Sequence, residues 1–426
     1  MARRRHGLAM VSCVILLVCS LSLVTAASTI THLVDATAGD PGRGGPKLEI
    51  LQTLADEFKA ETGIEVELIA GGFGEVRSKI PILAATDTLA DVVDIVSQFT
   101  FDYGGFLEDL TPHIERDNVD LSVLVPVLLE PFKAQVDGRE ALIGMPLFFY
   151  SHNMGINLRS FNEAGLATPA EMGDRDWNWA TLREYAQKLT LDGDGDGRPN
   201  QYGLQFRTWI HRLSLWFRHA GAPLWDRQYD PTEVTTNTPG AIDTLTFLHD
   251  MTSQGWVTNS TDPWFGGQAA MSFADAWPQM HTFVEFDADF VRFPYGPAGL
   301  RGTEFQAEGF GVNKASTNKE AAWEWVKFMA LRTENVERLT ITFGLPPALR
   351  EAIAAYREDG LPSQHIVFEN MFEPDTTFRP MSRETSIFTT IEREFVQALR
   401  GNVSPQQAAV RAQETAGAAL RQAWLR

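Results

Sequence analysis

An α/β fold is predicted for this chain, and three observations predict it. Strand-like and helix-like patterns alternate from residue 31 onward. The hydrophobic share, 44% of 426 residues, can fill a large core. No repeat, coiled-coil heptad or low-complexity tract interrupts the alternation. A β-α-β-α-β order implies a parallel sheet covered by helices on both faces. The length suits two or three domains, or one large two-lobed unit.

Residues 31–36 read as the first strand, and a Gly/Pro-rich loop follows over 39–46. Residues 48–62 set Leu51, Leu54, Ala55 and Phe58 on one helical face. Gly63 stops that helix, and residues 64–69 alternate as a strand. Residues 77–85 predict a second helix and 92–97 a buried strand. Asn178-Trp179 opens a helix with Leu182, Tyr185, Ala186 and Leu189 on its apolar face, and helices are predicted near 209–220 and 240–254. Thr317-Asn318-Lys319-Glu320 and Ser404-Pro405-Gln406-Gln407 have the capping-box pattern, in which two side chains satisfy orphan amides at a helix start. They predict helices over 321–331 and at the C-terminus. Trp179, Trp323 and Trp325 fall on helices as packing residues.

The N-terminus reads as a targeting segment. Arg3, Arg4 and Arg5 precede an apolar stretch over 8–24, which ends in Val24-Thr25-Ala26-Ala27. This is the pattern of a secretory signal peptide over residues 1–26, cleaved near Ala26. The competing reading, a membrane anchor, sits at the lower limit of length for spanning. Both cysteines, Cys13 and Cys19, lie inside the segment, and Leu16-Leu17-Val18 before Cys19 fits a lipid anchor badly. The mature chain is therefore expected to be cysteine-free, without disulfides, and periplasmic or extracellular. With 36 basic against 55 acidic residues and a net charge of −19, the full sequence is not expected to bind nucleic acid, which needs clustered Lys and Arg.

Motifs for nucleophilic catalysis, phosphate cradling and Zn-dependent hydrolysis are missing, so an enzyme is not expected. His211 and His219 share a helix but stand too far apart to chelate one metal. One local motif is sharp: Asp192-Gly193-Asp194-Gly195-Asp196-Gly197-Arg198-Pro199-Asn200. Oxygen ligands at alternate positions with glycine at the sixth suit a wrapped Ca²⁺ loop, here from Asp192, Asp194, Asp196 and Asn200. Gly203 stands where such a loop carries a bidentate Glu, so a plain Asp/Gly turn is the other reading. No cofactor is required, and a structural Ca²⁺ is the one candidate.

The order of segments resembles the family 1 extracellular solute-binding proteins of bacterial ABC importers, the group that includes maltose-binding protein. Leu54-Ala55-Asp56-Glu57-Phe58 followed by Glu61-Thr62-Gly63-Ile64-Glu65-Val66 is similar to the family's first helix and second strand. Ala90-Asp91-Val92, Gly144-Met145-Pro146 through Ile156-Asn157, and Phe161 to Leu166 with Trp179 continue the match. Gly267-Gln268-Ala269-Ala270-Met271 with Trp277, Lys319-Glu320-Ala321-Ala322-Trp323, and Gly344-Leu345-Pro346 complete it. Ala90 stands where the family usually has proline. The resemblance implies a periplasmic-binding-protein-like fold, with two discontinuous α/β lobes, a three-crossing hinge and a ligand cleft between them. By analogy the N-terminal lobe takes residues 27–146 plus 272–330 and the C-terminal lobe 147–271 plus 331–426. The crossings fall at 145–151, 268–273 and Leu331.

It also implies a monomer that captures a carbohydrate and delivers it to ABC permease transmembrane subunits. The alternative is another small polar solute, such as a glycerophosphodiester or sugar phosphate, for which Arg77, Lys79, Arg207 and Arg212 are available; a secreted carbohydrate-active enzyme is the remaining rival. Sugars present apolar C–H faces ringed by hydroxyls, so their sites combine aromatic platforms with carboxylate, amide and guanidinium groups. Trp277 matches the family's sugar-stacking tryptophan and follows Asp275. Phe148 and Tyr150 lie in the first crossing, and Trp209 opens a helix after the Asp/Gly loop. Phe73 and Glu75 follow the second strand, Ser97 and Gln98 the third, at carboxyl ends where open sheets bind ligands. Phe310, flanked by glycines, and Arg379, before Pro380, complete the candidate set.

Overall fold

The computed structural model describes residues 28–36, 45–136, 138–276, 284–358, 363 and 365–425. The expected leader and Trp277 lie outside these residues, as does the Phe73 side chain. Among the described residues the strands are β1 (Thr29–Asp35), β2 (Glu65–Gly71), β3 (Val92–Val96), β4 (Lys133–Val136), β5 (Arg139–Leu142), β6 (Met145–Ser151), β7 (Asn153–Asn157), β8 (Leu204–Phe206), β9 (Val257–Thr258), β10 (Met271–Ala276), β11 (Ala288–Val291), β12 (Glu304–Val312) and β13 (Thr377–Phe378).

Two sheets form two lobes. The first has the order β13-β12-β3-β1-β2, with β6 also on β12. Its β1 runs parallel to β2 and β3 because the helices Gly45–Thr62 and Phe73–Ala85 carry the chain back to the same end. Leu51, Leu54, Ala55 and Phe58, the predicted apolar face, are buried against this sheet's core. The second sheet has the order β11-β7-β10-β8-β9. Its core holds Trp179, Trp216, Phe217 and Phe273, and the C-terminal helices Ser386–Leu399 and Pro405–Trp424 pack there. No helix of the described residues is long and apolar enough to cross a membrane.

The capping boxes differ in outcome. At Ser404 the box forms: Ser404 Oγ accepts from Gln407 N at 3.2 Å, and Ser404 N donates to Gln407 Oε1 at 3.1 Å. At Thr317 it does not. The helix Lys319–Ala330 starts two residues before the expected 321, and Asn318 at its N-cap makes no side-chain cap hydrogen bond. Arg116 takes the Glu320 carboxylate at 2.5 Å, and Ser316 Oγ accepts from Asn318 N instead.

The lobe boundaries and crossings correct those expected by analogy. All of Met145–Ser151 pairs or packs in the first sheet, so the first crossing is the short step Ser151-His152-Asn153 into β7. Met271–Ala276 pairs with β7 and β8, which places it in the C-terminal lobe and moves the second crossing to the segment before Glu304. Leu331 lies between Lys319–Ala330 and Thr333–Phe343, both packed on the first core through Trp325, Val326, Val336 and Leu339. The third crossing is therefore beyond β13, near Arg379 to Met381, where Met381 N donates to Gln228 O of the second lobe. The crossings touch one another. His152 N donates to Glu304 O and Thr377 N to Thr303 O, each at 3.0 Å.

Candidate functional site

Parallel strands leave their carboxyl ends on one edge of a sheet, where ligands bind in open α/β folds. In the first lobe the chain leaves β3 through Ser97 and Gln98. In the second, β8 leads into Arg207 and Trp209, and Asp275 is next to last in β10. The crossings add His152, Glu304 and Arg379. These side chains meet at the junction of the lobes. Arg379 Nη1 donates to Gln98 Oε1 at 2.9 Å, and its Nε stands 3.9 Å from Glu304 Oε1. Ser214 Oγ, on the helix Ile210–His219, donates to Glu304 Oε2 at 3.3 Å, tying a first-lobe strand to a second-lobe helix. The His152 and His211 imidazoles stack with centroids 5.6 Å apart, and Trp209 lies 5.7 Å from His211.

Trp209 is 48% exposed, an unusual state for an indole at a lobe junction. The guanidinia of Arg207 and Arg212 lie 4.5 and 5.2 Å from its centroid. Both lean on Asp275: their Nε atoms are 3.2 and 2.5 Å from Oδ1, and Gln205 Nε2 donates to Oδ2 at 2.7 Å. Asp275 is itself fully buried, so it positions the arginines and offers no surface to a ligand.

Burial governs the charges. It pushes the Glu304 carboxyl up to about 8, against the pull of Arg379, Arg218, Ser214 and Arg212. It holds the imidazoles of His152 and His211 well below their ordinary value, with nearby arginines adding to the effect. Arg379 is brought down to about 10 by burial and stays protonated at neutral pH.

A pH dependence follows. Folded Glu304 keeps its proton up to about 8, whereas the unfolded carboxyl loses it near the ordinary Glu value. The folded state thus binds the extra proton in between, and stability falls as pH rises through that window. The histidines act the other way but only below about 6.5, their unfolded value. Between pH 6.5 and 8, unfolding free energy is expected to decline by at most about 1.4 kcal/mol per unit, and Glu304→Gln should flatten the decline. Denaturant melts across that range check this; equal slopes for both proteins would contradict it.

Of the residues singled out from sequence, the structure brings together Gln98, Trp209, Asp275 and Arg379. Tyr150 is half-buried, opposite Gln306 on β12. Asp275, expected as a ligand contact, is instead a buried positioning group, and Ser97, Phe148, Phe310 and Glu75 are corrected as well. Ser97 is buried and its Oγ accepts from Ala307 N at 2.9 Å, fastening β3 to β12. Phe148 packs on Phe343 with centroids 5.0 Å apart, and Phe310 on His32 at 5.3 Å; both are core. They border a recess of about 20 Å³ with Lys47, Arg77 and Asp94, room for about one water and not for a sugar ring. Glu75 is exposed and paired with Lys79, away from this group. Phe73 begins its helix, and Trp277 follows Ala276 outside the described residues.

Sequence reasoning missed His152, His211 and Glu304. A charged residue opening the apolar strand Glu304-Phe305-Gln306-Ala307, and a histidine wedged between two strands, were the available hints. In the Asp/Gly loop, carboxylate oxygens of Asp192, Asp194 and Asp196 lie within 4.8 Å of one another, all exposed. Gly195 and Gly197 take φ of +73° and +85°, which lets Asp192 accept from both amides. Asn200, expected as a fourth ligand, differs: its Oδ1 accepts from Gly193 N and Asp194 N, so that side chain closes the loop.

Two α/β lobes, three short crossings and a polar, aromatic junction at the strand ends define a two-lobed ligand-binding protein. The chain belongs to the bacterial extracellular solute-binding protein family, whose model matches residues 44–334. Its fold is similar to that of an ABC substrate-binding protein from Listeria monocytogenes in complex with cycloalternan (TM-score 0.74, 23% identity, 93% of this chain and 99% of that one covered). It is also similar to the cyclic alpha-maltosyl-1,6-maltose binding protein of Arthrobacter globiformis (0.74, 20%, 93% and 100%) and to the maltotriose binding protein of Thermus thermophilus (0.67, 20%, 93% and 100%).

Proposed function

We propose that this protein captures a carbohydrate outside the cytoplasmic membrane and delivers it to the transmembrane subunits of an ABC importer, acting as a monomer and making or breaking no bond. The observation that carries this reading is the half-exposed indole of Trp209, set among fixed guanidinium and carboxamide groups at the lobe junction. A flat apolar face ringed by hydrogen-bonding groups is what a pyranose requires. The similar structures that hold cycloalternan and maltotriose support it. Ligand touches both lobes only when they close, so binding shifts the population toward the form the permease accepts. Trp277, one residue beyond Ala276, is included as a second platform, and the leader over 1–26 as the export signal.

A melting screen against mono-, di- and oligosaccharides tests the reading. A ligand at 100 times its dissociation constant should stabilise by about 2.7 kcal/mol. No stabilisation by any sugar would remove it.

We also propose that the Asp192, Asp194 and Asp196 carboxylates take up Ca²⁺, an oxygen-seeking ion suited to three converging carboxylates. Calorimetric titration of chelator-treated protein should give saturable heat, and millimolar calcium should raise the melting temperature. Absence of both would leave the segment a turn.

A further inference from the structure

The chain is strongly acidic, yet its lobe junction is rich in cations. The cations are Arg207, Arg212 and Arg379; the imidazoles of His152 and His211, uncharged at neutral pH, lie on a path in which each neighbour is less than 6 Å from the next: Arg207 to Trp209, Trp209 to His211, His211 to His152, His152 to Glu304, Glu304 to Arg379. The carboxylates facing the arginines are Asp275, Glu304 and, on the Arg379 side, Glu308, while Glu392 takes the Ile210 amide at 3.1 Å. Asp275 is taken up by Gln205 and two arginines, and Glu304 is fully buried.

Buried atoms without a hydrogen-bond partner fall on both sides here, Arg207 Nε and Arg379 Nε as donors and Asp275 Oδ1 and Glu304 Oε1 as acceptors. A guanidinium has five N–H donors and no acceptor. Among the described residues Arg207 makes no hydrogen bond: it stacks on Trp209, and its buried Nε lies near Asp275 without hydrogen-bond alignment. Arg379 donates once, to Gln98, and its buried Nε has no hydrogen-bond partner. Arg212 differs, for its Nε donates to Ala274 O at 3.1 Å. Buried donors without acceptors are costly, and costlier when charged. The buried Nε atoms face Asp275 and Glu304, but the η nitrogens of Arg207, beside the exposed indole, and Nη2 of Arg379 make no hydrogen bond among the described residues and are arranged to receive acceptor oxygens from outside the chain.

We propose that the carbohydrate bound here carries an anionic group, a carboxylate or a phosphate, and that Arg207 and Arg379 receive it while Trp209 covers the sugar face. This rests on the carbohydrate reading and narrows it. At neutral pH the group holds an excess of positive charge, because Glu304 keeps its proton up to about 8. A neutral sugar would leave that excess uncompensated. An anion accepts the free N–H groups through charge-assisted bonds, the stronger kind.

The experiment uses the full chain and matched pairs: galactose against galacturonate, glucose against glucuronate, glucose against glucose 6-phosphate, and a neutral trisaccharide against trigalacturonate. Calorimetric titration at low and high salt reads each affinity. At least one anionic member should bind about tenfold or more tighter than its neutral counterpart, with the margin shrinking in high salt. The uronate and phosphate arms identify the anion. Arg207→Gln should erase the margin, bringing the pair within about threefold, and Arg207→Lys should restore part of it, since the charge returns without the planar fork. Neutral sugars bound as tightly as anionic ones would overturn the proposal and leave the carbohydrate reading standing. Binding of neither kind would overturn both. The comparison within the unaltered protein decides by itself if Arg207→Gln does not fold.

Discussion

Trp209→Ala is expected to weaken carbohydrate binding by about 2–4 kcal/mol while leaving the fold nearly intact, the range seen for aromatic anchors at other interfaces. The indole is 48% exposed and sits at the N-cap of the helix Ile210–His219, contacting Arg207, Arg212 and His211 and not the core. Truncation forfeits two cation–π contacts, on the order of 1 kcal/mol of stability. Trp216 on the same helix provides the contrast. It is fully buried, stacked on Phe273 at 3.7 Å, and Trp216→Ala should cost about 3–5 kcal/mol of stability. Titration and denaturant melts on both variants separate the roles. Near-normal affinity in folded Trp209→Ala would show that the indole is no platform.

Asp275→Ala is expected to destabilise the protein by about 3–5 kcal/mol, the usual cost of removing one partner from a buried ion pair. Its side chain is wholly buried, those of Arg207 and Arg212 are only 17% and 7% exposed, and Gln205 would lose its acceptor too. The damage comes from the charges left behind, so Asp275→Ala combined with Arg212→Leu should recover part of it. Denaturant melts measure both. A loss below about 1 kcal/mol for the single variant would mean the arginines do not depend on Asp275.

The fold is legible in the sequence because it is written in local patterns. Leu51, Leu54, Ala55 and Phe58 repeat at helical spacing, and Ser404 and Gln407 stand three apart, so both could be read without knowing what they touch. The lobe boundaries were misplaced because pairing is not local. Nothing in Met271 to Ala276 says that β7 and β8, not β12, flank it. The site was legible in part for the same reason. Gln98, Trp209, Asp275 and Arg379 stand near strand ends or at a crossing, which sequence order exposes. Phe148 and Phe310 were misjudged because an aromatic in a strand looks alike whether Phe343 or a ligand covers it. Glu304 was missed because its partners, Ser214 and Arg379, lie 90 and 75 residues away.

Closure of two lobes on a sugar is the central claim, and small-angle scattering with and without the saccharide selected by the melting screen tests it most directly. Saturating sugar should lower the radius of gyration and change the profile in the way a hinge rotation at Ser151–Asn153, Glu304 and Arg379–Met381 requires. Trp209→Ala at the same sugar concentration should keep the unliganded profile. A profile that does not change when calorimetry shows the sites filled would contradict the account.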